Sequence, residues 1–268
     1  GDSAILINEI LKLKSLSFSI NDKFLITDVS LDILKGDMVS IVGPNGSGKS
    51  TLIKLVSNEL NPSSGSIIIK NKLNTDWSIS ELSKFRAILS QSNSMSFPFT
   101  ALDIIKMGRY PFQTSEIINN KICIELIDLL DLNNHIDQVY TTLSGGEKQR
   151  VQLARVFAQI WSDNTYDDKI LMLDEPTSFL DIKHQYSLFK ILKSLNNKGL
   201  TIMMVLHDIN HALSYSEKII MLKDSNLMGF GKINEIINSE ILEKLFNLKL
   251  NLIKDKKTGK FNISFLDS

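Results

Sequence analysis

Apolar and polar positions alternate from the start of the chain. Leu16-Ser17-Phe18-Ser19-Ile20 alternates with period two, Asn21-Asp22 reads as a turn, and Val29-Ser30-Leu31-Asp32-Ile33 alternates again. That pattern predicts short strands within residues 5–42. Lys35-Gly36-Asp37 then turns the chain into a largely apolar run at 38–42, a buried strand, and apolar periodicity over 52–56 predicts a helix. A loop at 61–65 precedes a β-rich run at 66–70, and residues 87–90 read as a buried strand ending at Gln91. Ser78-Ile79-Ser80-Glu81 and Thr100-Ala101-Leu102-Asp103 have the form of capping boxes that open helices. Between them, residues 92–99 are polar and aromatic, which suits an exposed, partner-facing loop. Residues 100–160 are mostly helical in period. From Lys169 onward, apolar strands at 170–173, 201–206 and 218–222 alternate with helices at 183–196 and 209–215. Strand–helix alternation predicts a parallel sheet covered on both faces. The expected chain is therefore α/β, with an antiparallel β region near the N-terminus and a helical block inserted at about 95–160. After Ile233 one amphipathic segment, 240–246, is followed by a lysine-rich stretch with no evident pattern.

Between the strand at 38–42 and its helix lies Gly43-Pro44-Asn45-Gly46-Ser47-Gly48-Lys49-Ser50-Thr51. This is G-x-x-x-x-G-K-[ST], the phosphate-binding loop, in the strand–loop–helix setting that gives the motif its meaning. Glycines let the backbone curl so that its N–H groups point at phosphate. The following helix presents its unpaired N–H groups and positive dipole end to the same anion. Lys49 adds a flexible charge for the terminal phosphates, and the Ser50 hydroxyl can ligate Mg²⁺. The loop therefore predicts binding of a nucleotide's phosphates with Mg²⁺.

Composition narrows the class. The 268 residues suit one large domain or two modest ones, and 43% hydrophobic residues are ample for a core. A formal net charge of +0 argues against a nucleic-acid binder that works by bulk electrostatics. The single cysteine, Cys123, excludes an internal disulfide framework and reads as a small helix-face residue. No apolar stretch reaches the roughly 20 residues that span a bilayer. The opening Gly1-Asp2-Ser3-Ala4 shows no signal-peptide pattern.

Three further stretches carry chemistry. Ile170-Leu171-Met172-Leu173 runs into Asp174-Glu175, so a buried strand should deliver two carboxylates beside the phosphate loop. Adjacent strand residues point to opposite sides. Asp174 would then serve Mg²⁺, and Glu175 would face the attacking water. In Leu143-Ser144-Gly145-Gly146-Glu147-Lys148-Gln149-Arg150, Ser144 and Glu147 form a further capping box. Gly145 and Gly146 leave that helix start open to close approach, which suits a second phosphate site or a plain helix cap. One phosphate loop and one phosphate-ready helix start suggest two copies facing head to tail, each closing the other's nucleotide. His207 lies just past the strand at 201–206, within reach of a γ-phosphate. Gln91 is placed likewise, and its amide could ligate Mg²⁺ or orient water. Phe18 is a candidate both for the core and for a platform under adenine.

Together, Gly43-Thr51, Gln91, Leu143-Arg150, Asp174-Glu175, Ser178-Phe179-Leu180-Asp181 and His207 resemble the ordered motif set of ABC-transporter ATPase subunits over about residues 5–245. The resemblance implies a P-loop NTPase with a RecA-like core, and ATP as the nucleotide. It implies nucleotide contacts from Phe18, residues 43–51, Ser144, Gly145, Gly146 and Gln149, and Mg²⁺ on Ser50, Gln91 and Asp174. Glu175, His207 and Gln91 would carry the chemistry. Phe179 departs from the small residues common at its position. Met107-Gly108-Arg109-Tyr110-Pro111 resembles importers of iron-siderophore, heme and cobalamin type. Residues 151–161 with 180–185 look most like hemin-import ATPases. The implied assembly is a homodimer under a dimeric membrane permease at the cytoplasmic face of the inner membrane. A periplasmic binding protein would deliver cargo that the ATPase never touches, and no nucleic acid would be involved. Siderophore or cobalamin import, exporter service, a soluble ABC ATPase working on ribosome or DNA, and an inactive nucleotide-binding scaffold stay as alternatives. Residues 246–268 carry no assigned role.

Overall fold

The computed structural model describes residues 8–91 and 95–267. Expectations for residues 5–7, 92–94 and 268 lie outside them. Contacts divide the chain into two units, Gly1–Trp77 with Ile202–Ser268, and Ser78–Thr201.

The first unit is built on strands. β1 (Glu9–Ile20) and β2 (Lys23–Leu34) pair antiparallel, with Leu16 opposite Val29 and Phe18 opposite Ile26. Asn21 and Asp22, at φ 49° and 61°, make the hairpin turn, the left-handed pair that suits the right-handed twist of two strands. These are two twelve-residue strands rather than the short ones that alternation suggested. Irregular register around Ser15 (φ 45°), and left-handed backbone at Asp28 (φ 45°), interrupt the period of two without ending the pairing.

β1 also pairs antiparallel with β4 (Ser64–Ile69), which pairs with the short β5 (Lys72–Leu73). On the other side, β2 meets β10 (Asn226–Lys232), and β10 runs antiparallel to β9 (Lys218–Lys223). β3 (Met38–Val42) lies parallel to both β9 and β8 (Thr201–Val205). All five residues of β3 are buried, as a strand covered on both faces should be, with the one polar side chain, Ser40, hydrogen-bonded to Ser216. α1 (Lys49–Val56) follows the phosphate loop and buries Leu52, Ile53, Leu55 and Val56. α7 (Ile209–Tyr215), α8 (Ile233–Ile236) and α9 (Ser239–Phe246) complete the helices of this unit. The lysine-rich tail is a hairpin, β11 (Leu250–Lys254) with β12 (Phe261–Phe265).

The second unit is mostly helical. α2 (Ile79–Ser83), α3 (Ala101–Met107) and α5 (Gly145–Ile160) each begin with a complete capping box, at Ser78, Thr100 and Ser144. α4 (Glu116–Leu129) and α6 (Ile182–Asn197) are capped by Ser115 and Asp181. β6 (Arg86–Leu89) and β7 (Ile170–Asp174) run parallel, Leu89 opposite Leu173. Residues 95–99 form no regular element, and Phe97 is exposed, as the loop reading expects. Cys123 is buried on α4, where desolvation raises its thiol pKa.

Candidate functional site

The phosphate loop is shaped by close approach. A Cβ on Gly43 would stand 2.1 Å from the Leu222 carbonyl oxygen, so β9 leaves room there only for glycine. Gly48 has φ 103°, and a Cβ there would meet the Leu25 carbonyl oxygen at 2.5 Å. That contact also places the start of β2 directly against the loop. Lys49 folds back over the loop, its Nζ donating to the Gly43 carbonyl and, at 3.5 Å, to the Pro44 carbonyl. No side chain caps α1. The Ser47 hydroxyl is buried in the loop without a hydrogen-bond partner. Asn45 and Gly46 are exposed, whereas Pro44, Ser50 and Thr51 are half-buried. An uncapped helix start, a lysine resting on loop carbonyls and an orphaned buried hydroxyl together fit a phosphate chain.

Strand register brings His207 to the same place. Ile41 of β3 lies opposite Val205 of β8, and the Leu206 N–H donates to the Ile41 carbonyl at 3.2 Å. Two residues further along these parallel strands stand Gly43 and His207, and His207 is exposed. Phe18 does not join them. It is only 8% exposed and lies within the β1–β2 pairing, so its ring serves the core. The exposed apolar side chains of that hairpin are Ile20 (50%) and Phe24 (53%). Phe24 immediately precedes the Leu25 carbonyl that abuts Gly48. Sequence reasoning missed both, because alternation alone did not say which face of the hairpin stays uncovered.

The second unit gathers the remaining groups. With Leu89 opposite Leu173, Gln91 and Glu175 leave the same end of β6 and β7. Asp174 closes β7 and is 3% exposed. Glu175 is not a strand residue. Its φ of 51° turns the chain at once, so the expected two-sided alternation of the carboxylates gives way to a buried acid followed by a half-buried one on a tight turn.

That turn is tied to α5. Gln149 Nε2 donates to the Pro176 carbonyl at 3.0 Å and to the Glu175 carbonyl at 3.5 Å. A Cβ on Gly145 would meet the Phe179 ring at 3.3 Å, and one on Gly146 would meet the Phe179 carbonyl oxygen at 2.9 Å. The close approach that the two glycines permit is thus used within the chain, by Phe179, which is itself 80% exposed with φ 64°. The Ser144 hydroxyl donates to Glu147 at 2.6 Å, which holds that carboxyl below the usual range, and the Glu147 N–H donates back to Ser144. The box occupies the Ser144 and Glu147 amides and leaves those of Gly145 and Gly146 as the donors a phosphate could meet.

Among the described residues no helix is long and apolar enough to cross a membrane.

Comparison with known proteins follows the same lines. A family profile described as ABC transporter matches residues 26–178. The hemin import ATP-binding protein HmuV of Escherichia coli O157:H7 is 37% identical over 243 residues, covering 90% of this chain and 94% of that protein. HmuV of Gloeobacter violaceus is 35% identical over 251 residues, covering 93% and 91%. Among solved structures, an inward-facing ABC transporter described as of metal-chelate type is 26% identical, with a TM-score of 0.77, covering 97% of this chain and 98% of that one. The dimeric bacterial cassette MJ0796, in a post-hydrolysis state with ADP and Pi, is 29% identical with a TM-score of 0.73, covering 84% and 99%. The phosphate loop, the paired strand ends and the capped glycine helix are accounted for together: the chain belongs to the ABC transporter family, as an ATP-binding subunit whose ATP hydrolysis is coupled to transport.

Proposed function

We propose that this chain powers a membrane importer for heme. The observation that carries the cargo is the likeness to hemin import ATP-binding proteins along nearly the whole of both chains. A different metal-chelate cargo, ferric siderophore or cobalamin, is the second reading, favoured by the likeness to a transporter of metal-chelate type.

In the proposed chemistry, residues 43–51 hold the phosphates of ATP, with Lys49 on the terminal groups. His207 steadies the γ-phosphate, a role supported by the β3–β8 register. Glu175 accepts the proton of the attacking water, and Gln91 orients that water, a pairing supported by the β6–β7 register. Ser50, Gln91 and Asp174 are the residues that would hold Mg²⁺, which would neutralise phosphate charge there. Phe24 or Ile20, not Phe18, would lie under the base. Ser144, Gly145 and Gly146 of a second copy would close over the nucleotide, in keeping with the dimeric form of a similar cassette. In this reading Gln149 acts by holding the Glu175 turn rather than by touching ATP.

The expected assembly is a homodimer under a permease dimer at the cytoplasmic face of the membrane, served indirectly by a periplasmic binding protein. Glu175→Gln should keep ATP binding and lower turnover by roughly 10²–10⁴-fold. A near-normal rate would remove Glu175 from the mechanism. The trapped variant, pulled from native membranes and offered hemin, should bring a multi-span permease and a heme absorption band. A permease without heme would transfer the cargo to the second reading.

A further inference from the structure

The tail that showed no pattern in the sequence is attached to the helix that follows His207. α9 is capped at its C-terminus by Asn247, whose φ is 53° and whose Oδ1 accepts from Lys223 Nζ at 3.0 Å. The chain then forms the β11–β12 hairpin. Leu250 and Ile263 are its buried residues, and the Phe265 ring stands edge-on to Phe246 at 5.8 Å. β12 pairs only with β11 among the described strands, which leaves its outer edge to be satisfied.

One side chain satisfies it at Ile263. Asn210 Oδ1 accepts the Ile263 N–H at 2.8 Å, and Asn210 Nδ2 donates to the Ile263 carbonyl at 3.0 Å. A single amide thus makes the pair of bonds that a residue on a neighbouring strand would make. At the far end of α7, Lys260 Nζ donates to the Ser214 carbonyl and lies 5.8 Å from the Tyr215 ring centroid. The hairpin therefore grips α7 near both ends.

α7 has seven residues, too few to hold a helical conformation on its own. It is held by burying Ile209, Ala212 and Leu213 and by the hairpin, which is equally marginal alone, so helix and hairpin support one another. His207 sits in the short link between two fixed points. On one side the Leu206 N–H is bonded to Ile41 of the sheet. On the other, Asp208 caps α7 by accepting the Asn210 N–H at 2.8 Å. The sheet anchor is common to β8 as a whole, whereas the cap joins Asp208 to the backbone of Asn210, the residue whose side chain ties α7 to the hairpin.

We infer that Asn210, bonded to the β11–β12 hairpin, is a positioning residue for His207, and that residues 248–266 serve to hold the helix that aims it. The inference rests on the reading of His207 as the residue that steadies the γ-phosphate.

The test is a double-mutant cycle on the full chain, reading ATP turnover and nucleotide affinity. Asn210→Ala should lower kcat by about 10- to 100-fold, the scale expected for displacing a reacting group by about an ångström, with affinity changed less than about twofold. In a His207→Ala background the same substitution should lower kcat by less than about twofold more, because the group it positions is gone. Equal losses in both backgrounds, or full kcat in Asn210→Ala, would overturn the inference. Normal turnover in His207→Ala alone would instead show that the reading of His207 had failed, and the inference with it. Should Asn210→Ala not fold, the exposed Lys260→Met, loosening the other end of α7, takes its place with the same expected non-additivity.

Discussion

Arg109→Lys tests the packing of the helical unit most directly. Arg109 is 6% exposed, and its guanidinium makes three hydrogen bonds in three directions. Nη1 donates to the Ala158 carbonyl at 2.8 Å, Nε to Asn119 Oδ1 at 3.0 Å, and Nη2 to Thr114 Oγ1 at 3.2 Å. The ring of Phe112 lies 4.2 Å from the guanidinium carbon. A lysine keeps the charge but brings one compact ammonium, which can meet only one of these acceptors well. Two charge-assisted bonds are then lost, at about 1.5 kcal/mol each, together with roughly 0.5 kcal/mol of stacking. Water can reach Thr114 and Asn119, both exposed or nearly so, and recovers part of this. The net loss should be about 2–3 kcal/mol. Trp161, just past the end of α5, is a local reporter, since its Nε1–H donates to Glu125 of α4 at 3.2 Å. In a Trp77→Phe background, urea unfolding followed by Trp161 fluorescence should show the midpoint lowered by roughly 1 M, for a slope of about 2 kcal/mol per M. A shift under about 0.3 M would mean that the three bonds do not hold the segment, and the assignment of Arg109 as its staple would fall. The charge is the same in both proteins, so a lowered midpoint could not be attributed to a lost charge.

Two other predictions concern the base platform and acid stability. Phe18→Ala should cost about 3–5 kcal/mol of stability, seen as a lower melting temperature, and leave ATP affinity of the folded protein unchanged. Phe24→Ala should do the reverse, melting near the parent while binding ATP about fivefold or more weakly. Loss of affinity in Phe18→Ala at unchanged melting would restore Phe18 as the platform. Asp103 is held below its usual pKa by hydrogen bonds from Thr100, and Glu147 by those from Ser144. A depressed carboxylate stabilises the fold above its unfolded pKa, about 4, and that contribution is lost as pH falls further toward the folded value. The helical unit should therefore weaken between pH 5 and pH 3, measured by urea midpoints, and Glu147→Gln should weaken less over the same range. Equal slopes would show that the capping acid is not responsible.

Local patterns were legible in the sequence wherever a few adjacent residues determine the outcome. Four-residue signatures gave the capping boxes at Ser78, Thr100 and Ser144, and each is present with both reciprocal bonds. Largely apolar runs gave β3 to the residue and β7 to within one, since the strand takes in Asp174. Reading failed where a partner distant in sequence decides. Ser15 and Asp28 interrupt alternation without ending β1 and β2, because pairing across the hairpin tolerates the irregularity. Phe18 has the same alternating context as Ile20, and only the strand opposite determines which is covered. β12 alternates, Phe261-Asn262-Ile263-Ser264-Phe265, but five residues in a lysine-rich tail do not name their partner, and the side chain that meets its outer edge at Ile263 is Asn210, 53 residues away. Gly145 and Gly146 were correctly read as sites of close approach, but the approaching group is Phe179 of the same chain.

The two strand registers explain why a chemistry this dispersed in sequence needs few special residues. In each unit two parallel strands end level with one another, Ile41 with Val205 and Leu89 with Leu173. Within each unit, whatever follows those two ends is delivered side by side without further design, which is why ligands gather at the carboxyl ends of such strands. What the strands leave undetermined is the direction of each side chain after the strand stops, and there the chain adds a specific tie. Gln149 holds the turn at Glu175, and Asn210 holds the helix behind His207. Both are side-chain amides, which can donate and accept at once and carry no charge to disturb an adjacent phosphate. Arg109 belongs to a different category, since it joins packed segments remote from any strand end. Its loss should therefore be read as stability and that of Asn210 as rate. Finding the two effects exchanged would show that the strand-end ties are ordinary packing, and that the direction of His207 is set by the sheet alone.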